Sequence, residues 1–328
     1  MRFNLRDLST YRTALMGIAA LMIIACHAPA YGVFMPQWIR RFAVLGNYGV
    51  DIFLLLSGLG CYYSLHKQDS TTLDFYKKRA VRIFIPYLLV FIPVNILFII
   101  LGERNVGEGF LSLATLEYWI FHKGAWFVSM IIFLYLASPV LVLVQKGKHK
   151  WLVTFGIILV VFGLCTIPVK DPSNLNVVYN IQWAFRRSPS FFIGIALAQD
   201  CMDKKTMSVI WPLVLAMLYI PVKKLLFWVD NSWFVVPLMT MCLAVLLNWA
   251  CQIKAIGTCL LFMGKISLES YLLNICLNSL LRFMIPGIID SKLFYGHLLE
   301  YSFVIVAGIS LAYAISLLSK RIITRFAV

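Results

Sequence analysis

The stretch MGIAALMIIACHAPAYG, residues 16–32, has the apolar character of a bilayer-spanning helix until it reaches an ionisable side chain, His27. Long apolar runs recur along all 328 residues, of which 61% are hydrophobic and 13% are charged. A soluble domain is about half apolar and a quarter charged. The composition therefore indicates a protein that lies within a membrane.

A membrane-spanning helix needs about 20 mainly apolar residues. Because short polar patches separate the apolar runs, we predict an all-α, polytopic bundle of about ten transmembrane helices, in a single membrane domain over residues 1–328 with no fused soluble domain. The first helix has no small-residue cleavage site and is expected to stay in the mature protein. The predicted spans are 13–31, 47–65, 81–101, 126–145, 151–168, 188–200, 207–222, 233–251, 264–284 and 300–318.

The formal net charge of +15 is spread over the loops and does not form one basic stripe, so it does not indicate nucleic acid. If the N-terminus is cytoplasmic, the inner segments carry more Lys and Arg than the outer ones, which predicts that both termini are cytoplasmic. The eight cysteines occur singly in apolar segments. They favour buried small side chains over disulfides or a metal site.

Two ionisable residues are expected at similar depth near the outer ends of the first two helices. His27 lies in the last turn of the first, and Asp51 lies about one turn into the second. A carboxylate beside an imidazole fixes its tautomer and raises its basicity, as a general base requires. The alternative is that both side chains are wetted and structural at the membrane interface.

Basic residues gather before the third span in the stretch DFYKKRAVRIFIPYLL, residues 74–89. Arg79 and Arg82, three apart, share one helix face and are candidates for binding a phosphate-bearing cofactor. Such clusters also occur merely because cytoplasmic loops are basic or contact anionic lipid.

Further polar residues lie inside or at the ends of predicted spans. Glu269 and Asn274 in the ninth span must face the bundle interior or water, as substrate contacts or as polar contacts between helices. Trp126, at the start of the fourth, is a candidate for stacking on a sugar ring or an interfacial anchor. Ser57 and Gly58 favour close helix packing over a nucleophilic serine.

Five segments in order resemble the acyltransferase-3 family of membrane acyltransferases. These are the first helix ending in His27, then GVDIFLLLSG from residue 49, FYKKRAVRIFIPY from 75, AWFVSMIIFLYLASPVL from 125 and GKISLESYLL from 264. The resemblance implies transfer of an acyl group, usually acetyl from acetyl-coenzyme A, to hydroxyls of extracytoplasmic glycans such as O-antigen, capsule, exopolysaccharide or peptidoglycan. It also implies a bacterial plasma membrane, with coupling to separate envelope-glycan enzymes left open.

The resemblance implies that His27 matches the family's essential histidine. It likewise implies that Arg79, Arg82 and Pro86 match an Arg-x-x-Arg-x-x-x-Pro segment. Two positions depart from the family's pattern.

Met16 stands where relatives have an arginine, eleven residues before the histidine, and Asn274 stands where many have a histidine. Arg12 is the nearest arginine to Met16 and is expected to supply the missing charge. Because it lies about 22 Å from His27 along the helix, it cannot contact the imidazole, and its expected role is at the cofactor entrance.

The resulting hypothesis places acetyl-coenzyme A at Arg79, Arg82 and Arg12, with no metal. Asp51 orients His27, which either deprotonates a sugar hydroxyl or accepts the acetyl group itself. A glycan transporter or flippase is one alternative, although no repeated halves are visible. A degenerate relative kept for binding or assembly is another, favoured by Met16.

Overall fold

The computed structural model describes residues 1–33, 35–67, 71–169, 176–226, 232–284 and 294–326, and these are mainly helical. Two three-residue strands are β1 (Arg2–Asn4) and β2 (Thr206–Ser208), and single 3-10 turns occur at Gly46–Tyr48 and Ser232–Val235. The helices are α1 (Arg6–Thr10), α2 (Arg12–Ala30), α3 (Gln37–Leu45), α4 (Gly49–Leu65), α5 (Thr72–Ile100), α6 (Val106–Leu113), α7 (Glu117–Phe121), α8 (Trp126–Val144), α9 (Lys150–Thr166), α10 (Val177–Phe185), α11 (Pro189–Met202), α12 (Ile210–Leu226), α13 (Val236–Gln252), α14 (Lys254–Lys265), α15 (Ser267–Met284) and α16 (Phe294–Phe326).

Helices occupy all ten predicted segments, but not all of them are long and apolar enough to cross a membrane. In the described ranges six helical segments meet both conditions, or up to seven if the bent pair α14–α15 is one span. The all-α membrane architecture is confirmed, whereas the count of about ten crossings is not. Helix α11 shows why, since its 14 residues reach about 21 Å and most of its side chains are buried inside the bundle.

Two helix boundaries differ from the prediction for local reasons. Helix α5 begins at Thr72, well before residue 81, because Thr71 and Asp74 form a capping box, each side chain bonding the other's backbone N–H. The ninth predicted span is broken at Ile266, where α14 and α15 meet at 66°. The N-terminal turn of α15 follows this bend and contributes Ser267 and Leu268 to the lining of a cavity between the helices.

Glycines allow backbones to touch at the centre of the bundle. A Cβ at Gly58 of α4 would lie 2.1 Å from the carbonyl oxygen of Phe191, and one at Gly194 of α11 would lie 2.0 Å from that of Leu55. Such approaches need small residues at the interface. The prediction that Gly58 marks close helix packing is therefore confirmed.

The two short strands fix which chain segments share one side of the bundle. β1 and β2 pair antiparallel, with Phe3 opposite Met207. The N-terminus, the α11–α12 connection and the Arg12 end of α2 therefore lie together. Among the described residues, the helices not predicted from the apolar runs are α1, α3, α6, α7, α10 and all but the last two residues of α14.

Candidate active site

His27 lies in the last turn of α2 and is held by an amide on α15. Its Nδ1 lies 2.7 Å from Oδ1 of Asn274. An amide oxygen can only accept, so in this orientation Nδ1 donates, and in the neutral ring Nε2 carries the lone pair. Tyr31 packs edge-on against the ring, with centroids 6.0 Å apart. The hydrogen bond and the ring contact thus orient the imidazole and leave Nε2 as the nitrogen that could accept a proton.

The expectation that Asp51 orients His27 is corrected by the structure. Asp51 is completely buried and forms an ion pair with Arg187, and it accepts a further hydrogen bond from Ser190 at 3.1 Å. Arg187 also donates to Asn47 Oδ1 at 2.8 Å, and its guanidinium lies 4.5 Å from the Trp233 ring centroid. A buried carboxylate takes the cation it can reach because an unpaired charge is costly there. Asp51 therefore joins α4 to α11.

The three arginines assigned to the cofactor converge at the opposite end of α2. Arg12 Nε donates to the carbonyl oxygen of Leu56 at 3.0 Å, and Arg79 Nη2 donates to that of Gly60 at 2.8 Å. Arg79 also lies 4.9 Å from the ring centroid of Tyr135. Arg82 is exposed and lines the same cavity as the other two. Three guanidinium groups thus surround one opening.

This cavity, hereafter the central cavity, has a volume of about 200 Å³ and largely apolar walls. Along α2 its lining extends from Arg12 to Ile23, about 16 Å of helix. His27 follows one turn beyond Ile23, and Asn274 follows about one turn beyond Tyr271, another lining residue. The central cavity therefore extends from the three arginines to within one helical turn of the His27–Asn274 pair.

Two buried polar atoms on α15 stand on either side of Asn274. The hydroxyl of Tyr271 and Oδ1 of Asn278 have no hydrogen-bond partner in the described part of the chain. With Asn274 they follow the i, i+3, i+7 pattern of one helix face. Buried polar groups without partners are rare and need an explanation. These atoms mark a place where a polar ligand would be satisfied.

The remaining predicted site residues lie elsewhere. Trp126 packs edge-on against Trp183, with ring centroids 5.3 Å apart, and it is not among the residues that line the central cavity. Glu269 is buried on α15, about 160° round the helix from Tyr271. Their roles as substrate contacts stay predictions. Ser57 does line the central cavity, beside the packing glycine.

Arg187 was not predicted as a site residue, because it falls in the outer connection between the spans predicted at 151–168 and 188–200. Arg104, whose guanidinium lies 2.5 Å from Glu117, was not predicted as a site residue either. In neither case does local sequence show that the partner is near. In the described ranges no group of three or more His, Cys, Asp or Glu side chains is placed to hold a metal ion.

Comparison with curated proteins and with solved structures finds no match to this chain. A family model described as an acyltransferase domain, that of the acyltransferase-3 family, does match residues 13–317. That range contains Arg79 and Arg82 at the opening of the central cavity, and it contains His27 and Asn274. Arg12 lies one residue before it. The match covers nearly the whole chain, and the protein therefore belongs to the acyltransferase-3 family of membrane acyltransferases.

Proposed function

We propose that this protein is a membrane O-acyltransferase that moves acetyl from cytoplasmic acetyl-coenzyme A to a hydroxyl of an extracytoplasmic or lipid-linked glycan. The observation that supports this most directly is the central cavity. It leads from a cluster of guanidinium groups towards a histidine whose Nδ1 is held by Asn274, which leaves Nε2 as the nitrogen available to act as a base. The glycan would belong to an O-antigen, capsule, exopolysaccharide or peptidoglycan in a bacterial envelope.

The chemistry of the lining fits this donor. Coenzyme A carries phosphates at one end and a thioester at the other, joined by a slender arm. Arg12, Arg79 and Arg82 would bind the phosphates, because guanidinium groups form bidentate hydrogen bonds to phosphate oxygens. Beyond them the walls are apolar, with Ile23 and Phe127 among the lining residues. They would surround the arm and exclude water from the thioester.

Arg12 compensates for Met16 in this arrangement. Met16 lines the central cavity about one turn above Arg12, where relatives are expected to have a charge. The Arg12 side chain lies against Gly60, which has no side chain to displace it. Its guanidinium thereby reaches the same opening as Arg79. The missing charge is supplied from one turn lower on the same helix.

His27 would act as the general base. Its Nε2 takes the proton of the acceptor hydroxyl while the hydroxyl oxygen bonds to the acyl carbon, and the carbon–sulfur bond breaks. The imidazolium then returns that proton to the departing thiolate. Asn274 fixes the ring and its tautomer throughout. The same Nε2 would also serve if the ring itself accepted the acyl group first.

The test is the O-acetyl content of surface glycans, measured by mass spectrometry in the native host. The host is deleted for the gene and complemented with wild-type protein, with His27→Ala, or with the exposed-residue control Arg41→Ala, all at equal expression. We expect acetyl to be lost on deletion and restored by wild type and Arg41→Ala but not by His27→Ala. Unchanged acetylation, or full restoration by His27→Ala, would contradict the proposal and favour transport or assembly of a glycan intermediate.

A further inference from the structure

A second cavity, hereafter the outer cavity, has a volume of about 430 Å³ and lies beside α5, α7 and α15. Its walls include both charged and aromatic side chains. Among its lining residues are Asn95, Phe98, Arg104, Glu117, Ser279 and Phe283. None of these six lines the central cavity, so the outer cavity is a separate candidate for ligand binding.

We propose that the outer cavity binds the acceptor saccharide, with Arg104, Glu117 and Asn95 as its polar contacts. This inference rests on the proposed function and names the acceptor side of the same reaction. Small-molecule sites combine apolar walls with a few well-placed polar groups, as this cavity does. A sugar presents hydroxyls at its edges and C–H groups on its faces, and the cavity offers partners for both.

The polar contacts are held in place by a connected set of hydrogen bonds. Arg104 donates to Oδ1 of Asn95 and forms the ion pair with Glu117. Asn95 in turn donates to Ser112 Oγ at 3.3 Å and to the carbonyl oxygen of Phe91 at 2.8 Å. The Glu117 side chain is only 7% exposed. These groups are therefore positioned before any ligand arrives, which reduces the entropy cost of binding.

The backbone opposite Glu117 is adapted to this cavity. Gly124 lines it with φ of +80°, a conformation that side chains disfavour. A Cβ at Gly124 would lie 3.0 Å from Oε2 of Glu117, the oxygen that does not pair with Arg104. Glycine therefore keeps space beside that oxygen. A carboxylate oxygen in this setting would accept a hydrogen bond from a sugar hydroxyl.

Aromatic rings supply the apolar wall. Phe98 of α5 and Phe283 of α15 pack edge to face, with centroids 6.2 Å apart, and both line the cavity. Such rings would contact the C–H face of a pyranose while the charged groups bind its edge. This combination favours a sugar over a lipid chain, because a lipid chain would offer no hydrogen-bond donor to Oε2 of Glu117.

Helix α15 connects the outer cavity to the catalytic histidine. Tyr271 lines the central cavity, Asn274 holds His27, and Cys276 lines the outer cavity. These three residues lie within about two turns of one helix. Cys276 lies about 160° round the helix from Asn274, so the outer cavity lies against the other face of α15. An oligosaccharide bound there would therefore reach His27 with a neighbouring sugar unit that extends past the edge of α15.

The test measures saccharide binding without any chemistry. Ser279 is exposed and lines the outer cavity, so Ser279→Cys introduces a thiol there, in a background where the exposed Cys259 is replaced by Ser. The full-length protein in nanodiscs is labelled with a maleimide. The protecting probe is a de-O-acetylated oligosaccharide from the host's envelope glycan, and the control probe is the same oligosaccharide peracetylated.

We expect the free oligosaccharide to slow labelling at least about fivefold and the peracetylated one to have no effect. Arg104→Ala and Glu117→Gln should each raise the oligosaccharide concentration needed for half-maximal protection about tenfold. Arg41→Ala should leave that concentration unchanged. Binding of radiolabelled acetyl-coenzyme A should be unchanged in all of them. If Arg104→Ala does not fold, Ser279→Trp, which blocks the cavity and keeps the ion pair, should lower transfer to the oligosaccharide with donor binding intact.

Failure of this inference is separable from failure of the proposed function. Absence of protection, together with transfer to the same oligosaccharide that depends on His27, would overturn the outer cavity as the acceptor site and leave the acyltransferase intact. Loss of donor binding in parallel with loss of protection would also overturn it, because the Arg104–Glu117 pair would then be structural. Transfer that survives His27→Ala would contradict the proposed function itself.

Discussion

Substitutions at Gly60 and at Gly58 distinguish an effect on ligand binding from an effect on helix packing. An added Cβ there would lie 2.3 Å from Nη2 of Arg12, whereas ordinary contacts begin at 3.4 Å. Gly60→Ala therefore moves the guanidinium by about 1 Å or more, which the flexible end of an arginine allows. At Gly58, by contrast, the added Cβ would meet the backbone oxygen of Phe191, which cannot move without shifting α11.

The two substitutions should have opposite signatures. In Gly60→Ala the displaced guanidinium loses a charge-assisted hydrogen bond to a donor phosphate, about 1.5 to 3 kcal/mol, so the Kd for acetyl-coenzyme A rises between about 10- and 150-fold. Its Tm should stay close to wild type. Gly58→Ala should lower the stability by about 1 to 3 kcal/mol through overpacking between α4 and α11. The donor affinity of its folded fraction should change little.

Equilibrium binding of radiolabelled acetyl-coenzyme A to protein in nanodiscs, with thermal unfolding of the same samples, measures both quantities. The double variant Gly60→Ala/Arg12→Ala should bind no more weakly than Arg12→Ala alone, because both changes remove the same contact. Additive losses in that double-mutant cycle would show that Gly60 acts independently of Arg12. Wild-type affinity in Gly60→Ala would refute the assignment of Arg12 to the donor site.

Three further changes test the other parts of the site. Asn274→Ala removes the acceptor that orients His27 and should lower kcat about five- to tenfold with unchanged donor affinity, as steady-state kinetics would show; a change in donor affinity alone would contradict it. Asp51→Ala leaves Arg187 buried without its ion pair and should cost about 3 to 5 kcal/mol of stability, seen in thermal unfolding, and normal stability would contradict a structural ion pair. Arg79→Lys keeps the charge but loses the fork that binds both Gly60 and phosphate, so donor affinity should fall about tenfold in the binding assay; full affinity would show that charge alone suffices.

The helical, membrane-embedded architecture could be predicted because hydropathy is a local property of the chain. The positions of His27, Arg79 and Arg82 on their helices followed from the same patterns. Helix boundaries were less predictable where polar residues continue a helix beyond its apolar part. Lys77 and Lys78 belong to α5 although they carry charge, because the capping box starts that helix at Thr72.

The pairing of polar side chains could not be predicted, because it depends on contacts between distant segments. His27 and Asn274 are 247 residues apart in the chain, and Asp51 and Arg187 are 136 apart. The positions of Asp51 and His27 along their helices predicted a similar depth for the two residues. They could not show which neighbouring helix the Asp51 side chain faces. The close approach of α4 and α11 at their glycines decides that question in favour of Arg187.

The pairing of His27 with Asn274, and of Asp51 with Arg187, has a consequence for the chemistry of His27. A carboxylate at Nδ1 would stabilise the imidazolium and so favour a ring that already holds its proton. The amide of Asn274 orients the ring equally well but adds no net charge. Because Arg187 takes the charge of Asp51, the carboxylate expected at a similar depth is neutralised. In the proposed mechanism the imidazole would therefore meet its acceptor as a neutral base, which is the form that proton abstraction from a sugar hydroxyl requires.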